Sequence, residues 1–178
     1  VPTQVRMLLD RPALDRADLS TIRSLVYGGA PMHAADLAEA VTRFGPVLSQ
    51  LYGQGESPMT ISYLSTDEHR PGRADQEVLN SAGVVRTGME IRIVDAQAAS
   101  LPAGEVGEII VRGPAVMTGY WNQPEATAAA LRDGWLHTGD LGRLDERGYL
   151  YVLDRLKDFV ITGGSNVYAR EIEDVLLQ

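Results

Sequence analysis

Between Ala34 and Phe44 the apolar residues Leu37, Val41 and Phe44 fall on one face of an α-helix, and Gly45-Pro46 directly afterwards supplies a stop signal. Residues 4–10 read as the end of a short helix and Asp15–Thr21 as a polar turn. Ser24–Tyr27 is a short apolar strand running into Gly28-Gly29-Ala30-Pro31, and Val47–Tyr52 is a second strand running into Gly53-Gln54-Gly55-Glu56. The order strand, Gly loop, helix, strand, Gly loop predicts an α/β layer with parallel strands. Ligands in such layers sit beyond the carboxyl ends of the strands, where both Gly loops fall.

From about Gly72 the pattern shifts towards strict alternation. Glu90–Asp95 and Glu108–Arg112 read as strands separated by a turn at Pro102-Ala103-Gly104. Pro124–Leu131 predicts a short helix with Pro in its first turn, where a residue lacking N–H costs nothing. Leu141–Leu144 and Tyr149–Leu153 flank Asp145-Glu146-Arg147-Gly148, a hairpin turn. The middle of the chain is therefore expected to be an antiparallel β subdomain, with Trp121 and Trp135 as its packing residues. Lys157 to Gln178 begins a further strand and a helix whose apolar Ile172, Val175 and Leu176 expect a partner outside the chain. The expected partition is residues 1–71, an α/β portion; 72–156, β-rich; and 157–178, the start of another unit.

Composition narrows the class. The chain has 178 residues, 44% hydrophobic and 22% charged, near the average for a soluble globular protein. A net charge of −8 without a basic run disfavours nucleic-acid binding, which needs clustered positive charge against phosphates. No apolar run approaches the roughly 20 residues that span a bilayer, so no transmembrane segment is expected. The absence of cysteine excludes disulfides and fits a cytoplasmic protein. The opening VPTQVRMLLD has neither initiator Met nor the charged region of a targeting peptide, so a trimmed or internal fragment is expected. His33, His69 and His137 lack metal-ligand spacing, no Ser-His-Asp arrangement emerges, and a structural role is expected for His137. Nothing in the sequence speaks to oligomeric state.

Five blocks carry the chemistry: YGGAPM (Tyr27–Met32), LYGQGESP (Leu51–Pro58), GEIIVRGPAVMTGYWNQPEAT (Gly107–Thr127), GWLHTGDL (Gly134–Leu141) and DRLKDFVITGGSNVYAREIE (Asp154–Glu173). Each alone has an ordinary reading as a glycine turn, a loop or a solvated face. In this order they resemble the adenylate-forming superfamily, specifically the acyl-CoA synthetases, over essentially the whole chain. The resemblance implies an α/β fold. The chain would hold the parallel-sheet portion of the large N-terminal domain, carrying nucleotide and acyl sites, then an antiparallel β subdomain, then a hinge and the first elements of a small C-terminal domain. It also implies ATP, Mg²⁺ and coenzyme A as cofactors. The small-molecule carboxylic acid is activated with MgATP to an acyl-adenylate and then passed to the thiol of coenzyme A.

Residue by residue, the resemblance gives Gly29-Ala30-Pro31 the loop lining the adenine, where small residues let the backbone approach a flat ring. Tyr52 takes the aromatic position on the adenine face, and Gly53, Gln54 and Gly55 belong to the same nucleotide-binding block. Glu56 matches the carboxylate that holds Mg²⁺ at the phosphates, since a hard cation prefers carboxylate oxygen. Gly55 stands where relatives commonly carry a Thr whose hydroxyl contacts the α-phosphate; backbone N–H groups can serve instead. Asp140 matches the acceptor of both ribose hydroxyls, which need two carboxylate oxygens, and Arg155 a second ribose contact. Lys157 matches the catalytic hinge about which the C-terminal domain turns, and Gly163-Gly164 the loop beside the coenzyme A channel.

Leu51, Met59 and Thr60 flank the implied acyl pocket, and Leu51 would narrow it in favour of a linear or small acyl chain. The resemblance further implies a phosphate-binding loop upstream of Val1 and a catalytic Lys beyond Gln178. Without that Lys, a preorganised charge worth several kcal/mol of barrier is missing, so the 178 residues alone are expected to be inactive. Two alternatives stand beside this reading. One is a non-catalytic nucleotide-binding or interaction module. The other is an adenylating relative that passes the acyl group to a carrier-protein thiol or to oxygen.

Overall fold

The computed structural model describes residues 1–30, 32–70, 75–156, 160–162 and 165–167, the last two stretches as backbone. Helix α1 (Pro2–Leu9) and a 3₁₀ turn (Pro12–Arg16) precede β1 (Leu25–Gly28), α2 (Ala34–Phe44) and β2 (Leu48–Gln54). The α2 bounds are those the periodicity predicts, and the helix ends because Gly45 turns the chain at φ 76°. Strands β1 and β2 pair in parallel, with Tyr27 opposite Gln50 and Gly28 opposite Leu51. Both helices bury Val5, Leu9, Leu37, Ala40 and Phe44 against Tyr27 and Leu48 of these strands. Arg6 of α1 clamps α2 through Asp36 (3.0 Å) and Glu39 (2.7 Å).

Beyond β2 the structure departs from the expected parallel layer. Gly53–Glu56 is not a strand-to-helix loop; it carries the chain straight back into β3 (Ser57–Leu64), antiparallel to β2. The sequence reading assigned no element there. A helix α3 (Gln76–Leu79) leads to β4 (Val84–Val85), which completes a mixed sheet of order β1-β2-β3-β4.

The second sheet is antiparallel throughout, as predicted. It contains β5 (Glu90–Val94), β6 (Gly107–Arg112), β7 (Leu131–Arg132), β8 (Trp135–Leu144) and β9 (Leu150–Arg155), with α4 (Pro124–Ala130) between β6 and β7. Strand β8 begins well before Leu141, so the TGD segment lies within a strand and not in a loop. Ile93, Ile109, Val111, Leu136 and Leu150 bury their side chains together with Ile61 of β3, so the two sheets share a core. Backbone bonds from Ala82 N–H to the Leu150 carbonyl (2.6 Å) and from Leu150 N–H to the Gly83 carbonyl (2.8 Å) stitch them.

The two tryptophans diverge. Trp135 is buried, its ring lying 4.4 Å from the Arg92 guanidinium carbon and 4.6 Å from that of Arg112. Trp121, expected to pack, is 88% exposed, because the turn at Asn122 (φ 51°) carries it outward ahead of α4. Strands β10 (Val160–Thr162) and β11 (Ser165–Val167) form an antiparallel pair. The helix expected after them lies outside the described residues.

Candidate functional site

The β2–β3 turn and β8 meet at one carboxylate. Tyr52 and Gln54, two apart on β2, share a face of the strand, and both donate to Asp140 Oδ2, the hydroxyl at 2.6 Å and the amide at 2.8 Å. Gly53 between them permits this. The register slips at that point, and a Cβ there would lie 2.3 Å from the Met59 nitrogen and 2.4 Å from the Ser57 oxygen. Asp140 is only 5% exposed, a position a carboxylate tolerates when it is hydrogen-bonded. Its other oxygen, Oδ1, lies 3.6 Å from Nε of Arg155, its register partner on β9, whose side chain is largely in solvent. Burial first, and then the Asp140 charge, hold the Tyr52 phenol well above its ordinary pKa, so it remains a donor.

The backbone around Asp140 is fixed on every side. The Thr138 hydroxyl donates to the Ile109 carbonyl (2.6 Å) and accepts from Asp140 N–H (3.1 Å), while Gln54 also donates to the Thr138 carbonyl (2.9 Å). Glu108 accepts from Gly139 N–H (3.2 Å) and from Nδ1 of His137 (2.8 Å). Leu156 N–H donates to the Gly139 carbonyl (2.8 Å), which ties the end of β9 to the same bend. His137 is thus a structural residue, as expected. Glu108 has no role in the sequence reading, although it stands in the Gly107–Thr127 block.

The first Gly loop lies close by. A Cβ on Gly28 would sit 2.2 Å from the Leu51 carbonyl oxygen and 3.4 Å from the Met59 sulfur. Gly29 adopts φ +82°, a left-handed conformation that side chains disfavour. The structure therefore brings Leu51 and Met59 against Gly28, with Met59 also beside Gly29. Ala30 is exposed, and the Thr60 hydroxyl is engaged with that of Ser57 at 2.9 Å. Pro31, Lys157, Gly163 and Gly164 lie outside the described residues.

Glu56 follows the exposed Gly55 at the tip of the β2–β3 turn. Its carbonyl accepts from Met117 N–H (2.7 Å) and its carboxylate Oε1 accepts from the Tyr120 hydroxyl. Among the described residues no group of three or more His, Cys, Asp or Glu is placed to hold a metal by itself. Glu56 still fits Mg²⁺, which keeps water ligands and needs one or two carboxylates alongside substrate phosphates. Among the described residues no helix is long and apolar enough to cross a membrane.

Comparison with known proteins places the chain in a family. The family model described as AMP-binding enzyme matches residues 1–121. The chain is 43% identical to the medium/long-chain-fatty-acid–CoA ligase FadD8 of Mycobacterium tuberculosis, over 100% of this chain and 30% of that protein. It is 40% identical to the fatty acid–[acyl-carrier-protein] ligase ScoC of Streptomyces coeruleorubidus, over 99% of this chain and 33% of that one. The solved amide bond synthetase McbA of Marinactinospora thermotolerans superposes with a TM-score of 0.88 at 43% identity, covering 98% of this chain and 35% of its own. The chain spans about a third of the length of the curated relatives it matches. The match over residues 1–121 takes in the Gly28-Gly29 loop, the β2–β3 turn and Tyr120, and the chain belongs to the family of AMP-binding enzymes.

Proposed function

We propose that this chain supplies the adenosine-binding part of an ATP-dependent acid–thiol ligase. In the whole protein a carboxylic acid and MgATP would give an acyl-adenylate and pyrophosphate, and the acyl group would then pass to coenzyme A. The observation that carries the reading is Asp140: a buried carboxylate with one oxygen saturated by Tyr52 and Gln54 and the other turned towards Arg155. Only Oδ1 is left to accept from the diol, and one carboxylate oxygen has two lone pairs to offer its hydroxyls; the Arg155 guanidinium can donate to the same diol. The ring of Tyr52 and the small residues Gly29, Ala30 and Pro31 would line the adenine, with Gly53, Gln54 and Gly55 in the same nucleotide-binding block and Gly55 towards the phosphates. Glu56 would take one coordination position of Mg²⁺, whose charge offsets that of the departing pyrophosphate.

Residues 1–71 would form part of the nucleotide- and acyl-binding subdomain and 72–156 the β-rich subdomain. Residues 157–178 would provide the hinge and the beginning of a C-terminal domain, with Lys157 as pivot and Gly163-Gly164 beside the thiol channel. Leu51 and Met59, placed against Gly28-Gly29, support an acyl pocket adjoining the adenine loop, with Thr60 at its edge. Transfer to a carrier-protein thiol or to an amine is the second reading, favoured by the names of ScoC and McbA, two relatives of comparable identity.

Calorimetric titration with AMP and with a non-hydrolysable acyl-adenylate tests the proposal. Binding of both is expected, with the acyl-adenylate the tighter. Failure of both to bind would contradict it.

A further inference from the structure

Tyr120 stands outside every role assigned so far, yet it makes the one hydrogen bond that any described residue gives to the Glu56 carboxylate. Its own backbone is anchored. Tyr120 N–H donates to the Thr127 hydroxyl (2.9 Å), which in turn donates to the Gln123 carbonyl (2.8 Å) at the start of α4. Gly119 is packed so closely on Thr127 that a Cβ there would lie 2.8 Å from its methyl carbon. After Tyr120 the chain turns at Asn122 in the left-handed region (φ 51°) and enters α4 through Pro124. A second tie, Met117 N–H to the Glu56 carbonyl (2.7 Å), holds this segment against the tip of the β2–β3 turn.

Glu56 itself follows an exposed glycine, and its long side chain has many rotamers to lose on ordering. The phenol takes Oε1. A carboxylate retains acceptor capacity on its second oxygen, and Oε2 receives no hydrogen bond from any described residue. We propose that Tyr120 is a positioning residue for the metal: tied to α4 through Thr127 and holding Oε1, it presents Oε2 of Glu56 as a single, fixed ligand to the Mg²⁺ that accompanies ATP. This rests on the nucleotide-site reading above and extends it to a residue that touches neither nucleotide nor cation. Groups that orient a metal ligand in this way typically contribute 10–100-fold to metal affinity.

The test separates metal from nucleotide. Affinities for AMP in EDTA and for ATP in saturating Mg²⁺ would be measured by calorimetry on the unaltered chain, on Tyr120→Phe and on Thr127→Val. The expected result for Tyr120→Phe is AMP affinity within twofold of the unaltered chain and MgATP affinity lower by about 10-fold. Thr127→Val, which frees the Tyr120 backbone, is expected to shift MgATP in the same direction by a smaller factor.

Equal MgATP affinity in Tyr120→Phe and the unaltered chain would overturn the inference and leave the nucleotide site standing. Parallel loss of AMP and MgATP would also overturn it, since Tyr120 would then be a general structural support. Tighter MgATP binding by Tyr120→Phe would overturn it by showing that the phenol competes with the cation. Absence of AMP binding by the unaltered chain would overturn the site reading and this inference together.

Discussion

Asp140 and Gly55 mark opposite ends of the proposed nucleotide site, and they differ in how tightly the fold constrains them. Asp140 is held by donors from β2 and by a bend pinned through Thr138 and Glu108. Gly55 is exposed, and a Cβ placed on it meets nothing within 4 Å. No packing reason requires glycine there, so Gly55→Thr is expected to leave the unfolding midpoint unchanged. If the tip faces a phosphate, the added hydroxyl gains a hydrogen bond to a charged group, worth about 1.5–3 kcal/mol net, or roughly 10-fold to 150-fold tighter AMP binding. Unchanged AMP affinity in a folded Gly55→Thr chain would remove Gly55 from the phosphate end. The roles proposed for Asp140 and Arg155 come only from motif resemblance, because nothing in the order of residues says that Tyr52 and Gln54 converge on Asp140. That convergence needs the β2–β3 turn, which composition around Gly53 does not announce.

At the level of elements, helix α2 was legible because its burial recurs every three or four residues, and β5 and β6 because each is a short apolar run between turn residues, although Ile109, Ile110 and Val111 of β6 are all buried and show no alternation. Strand β3 was not. SPMTISYL carries Pro58 and polar Ser57, Thr60 and Ser62, and its burial comes from tertiary contact with both neighbouring strands, not from an alternating pattern. Its partner β2 is forced into register by the close approach at Gly53. Gly53→Ala is therefore expected to destabilise the chain by about 1–3 kcal/mol through overpacking, read as a lower urea midpoint. Gly55→Ala, two residues away in open space, should not. Equal midpoints for the two variants would show that the irregularity between Tyr52 and Gln54 does not depend on glycine. The sequence also placed Trp121 in a core it does not join, since nothing local distinguishes an aromatic at a turn tip from one beneath a sheet.

For the molecule as a whole, one buried titratable group, His69, has no part in the proposed chemistry. His69 is fully buried; its Nδ1 donates to the Ser65 carbonyl (2.7 Å), which leaves Nε2 to accept from the Tyr27 hydroxyl (2.9 Å). Burial lowers its pKa from the ordinary 6.5, partly countered by the Ser65 carbonyl and the nearby Glu68 charge. The unfolded chain thus binds the proton more readily than the folded one. Stability should be full above about pH 6.5 and fall as the pH drops towards the folded value. The carboxylates of Asp75 and Glu90, lowered by Arg147 and Arg112, contribute stability that is lost only at more acidic pH, so the two windows are separable. Urea midpoints at pH 7.5 and 5.5 should differ in the unaltered chain and converge in His69→Gln. An unchanged midpoint in the unaltered chain would contradict a neutral buried imidazole.

The central claim is that Asp140 receives the two hydroxyls of a ribose, and comparing AMP with 2′,3′-dideoxy-AMP tests it most directly. Calorimetry on the unaltered chain should show AMP binding about 10-fold or more tightly than the dideoxy compound, as expected when hydrogen bonds to a charged group are lost. In Asp140→Ala that preference should shrink to what Arg155 alone sustains, while any residual adenine affinity remains. Equal affinity for the two nucleotides in the unaltered chain, or a preference undiminished in Asp140→Ala, would contradict the assignment.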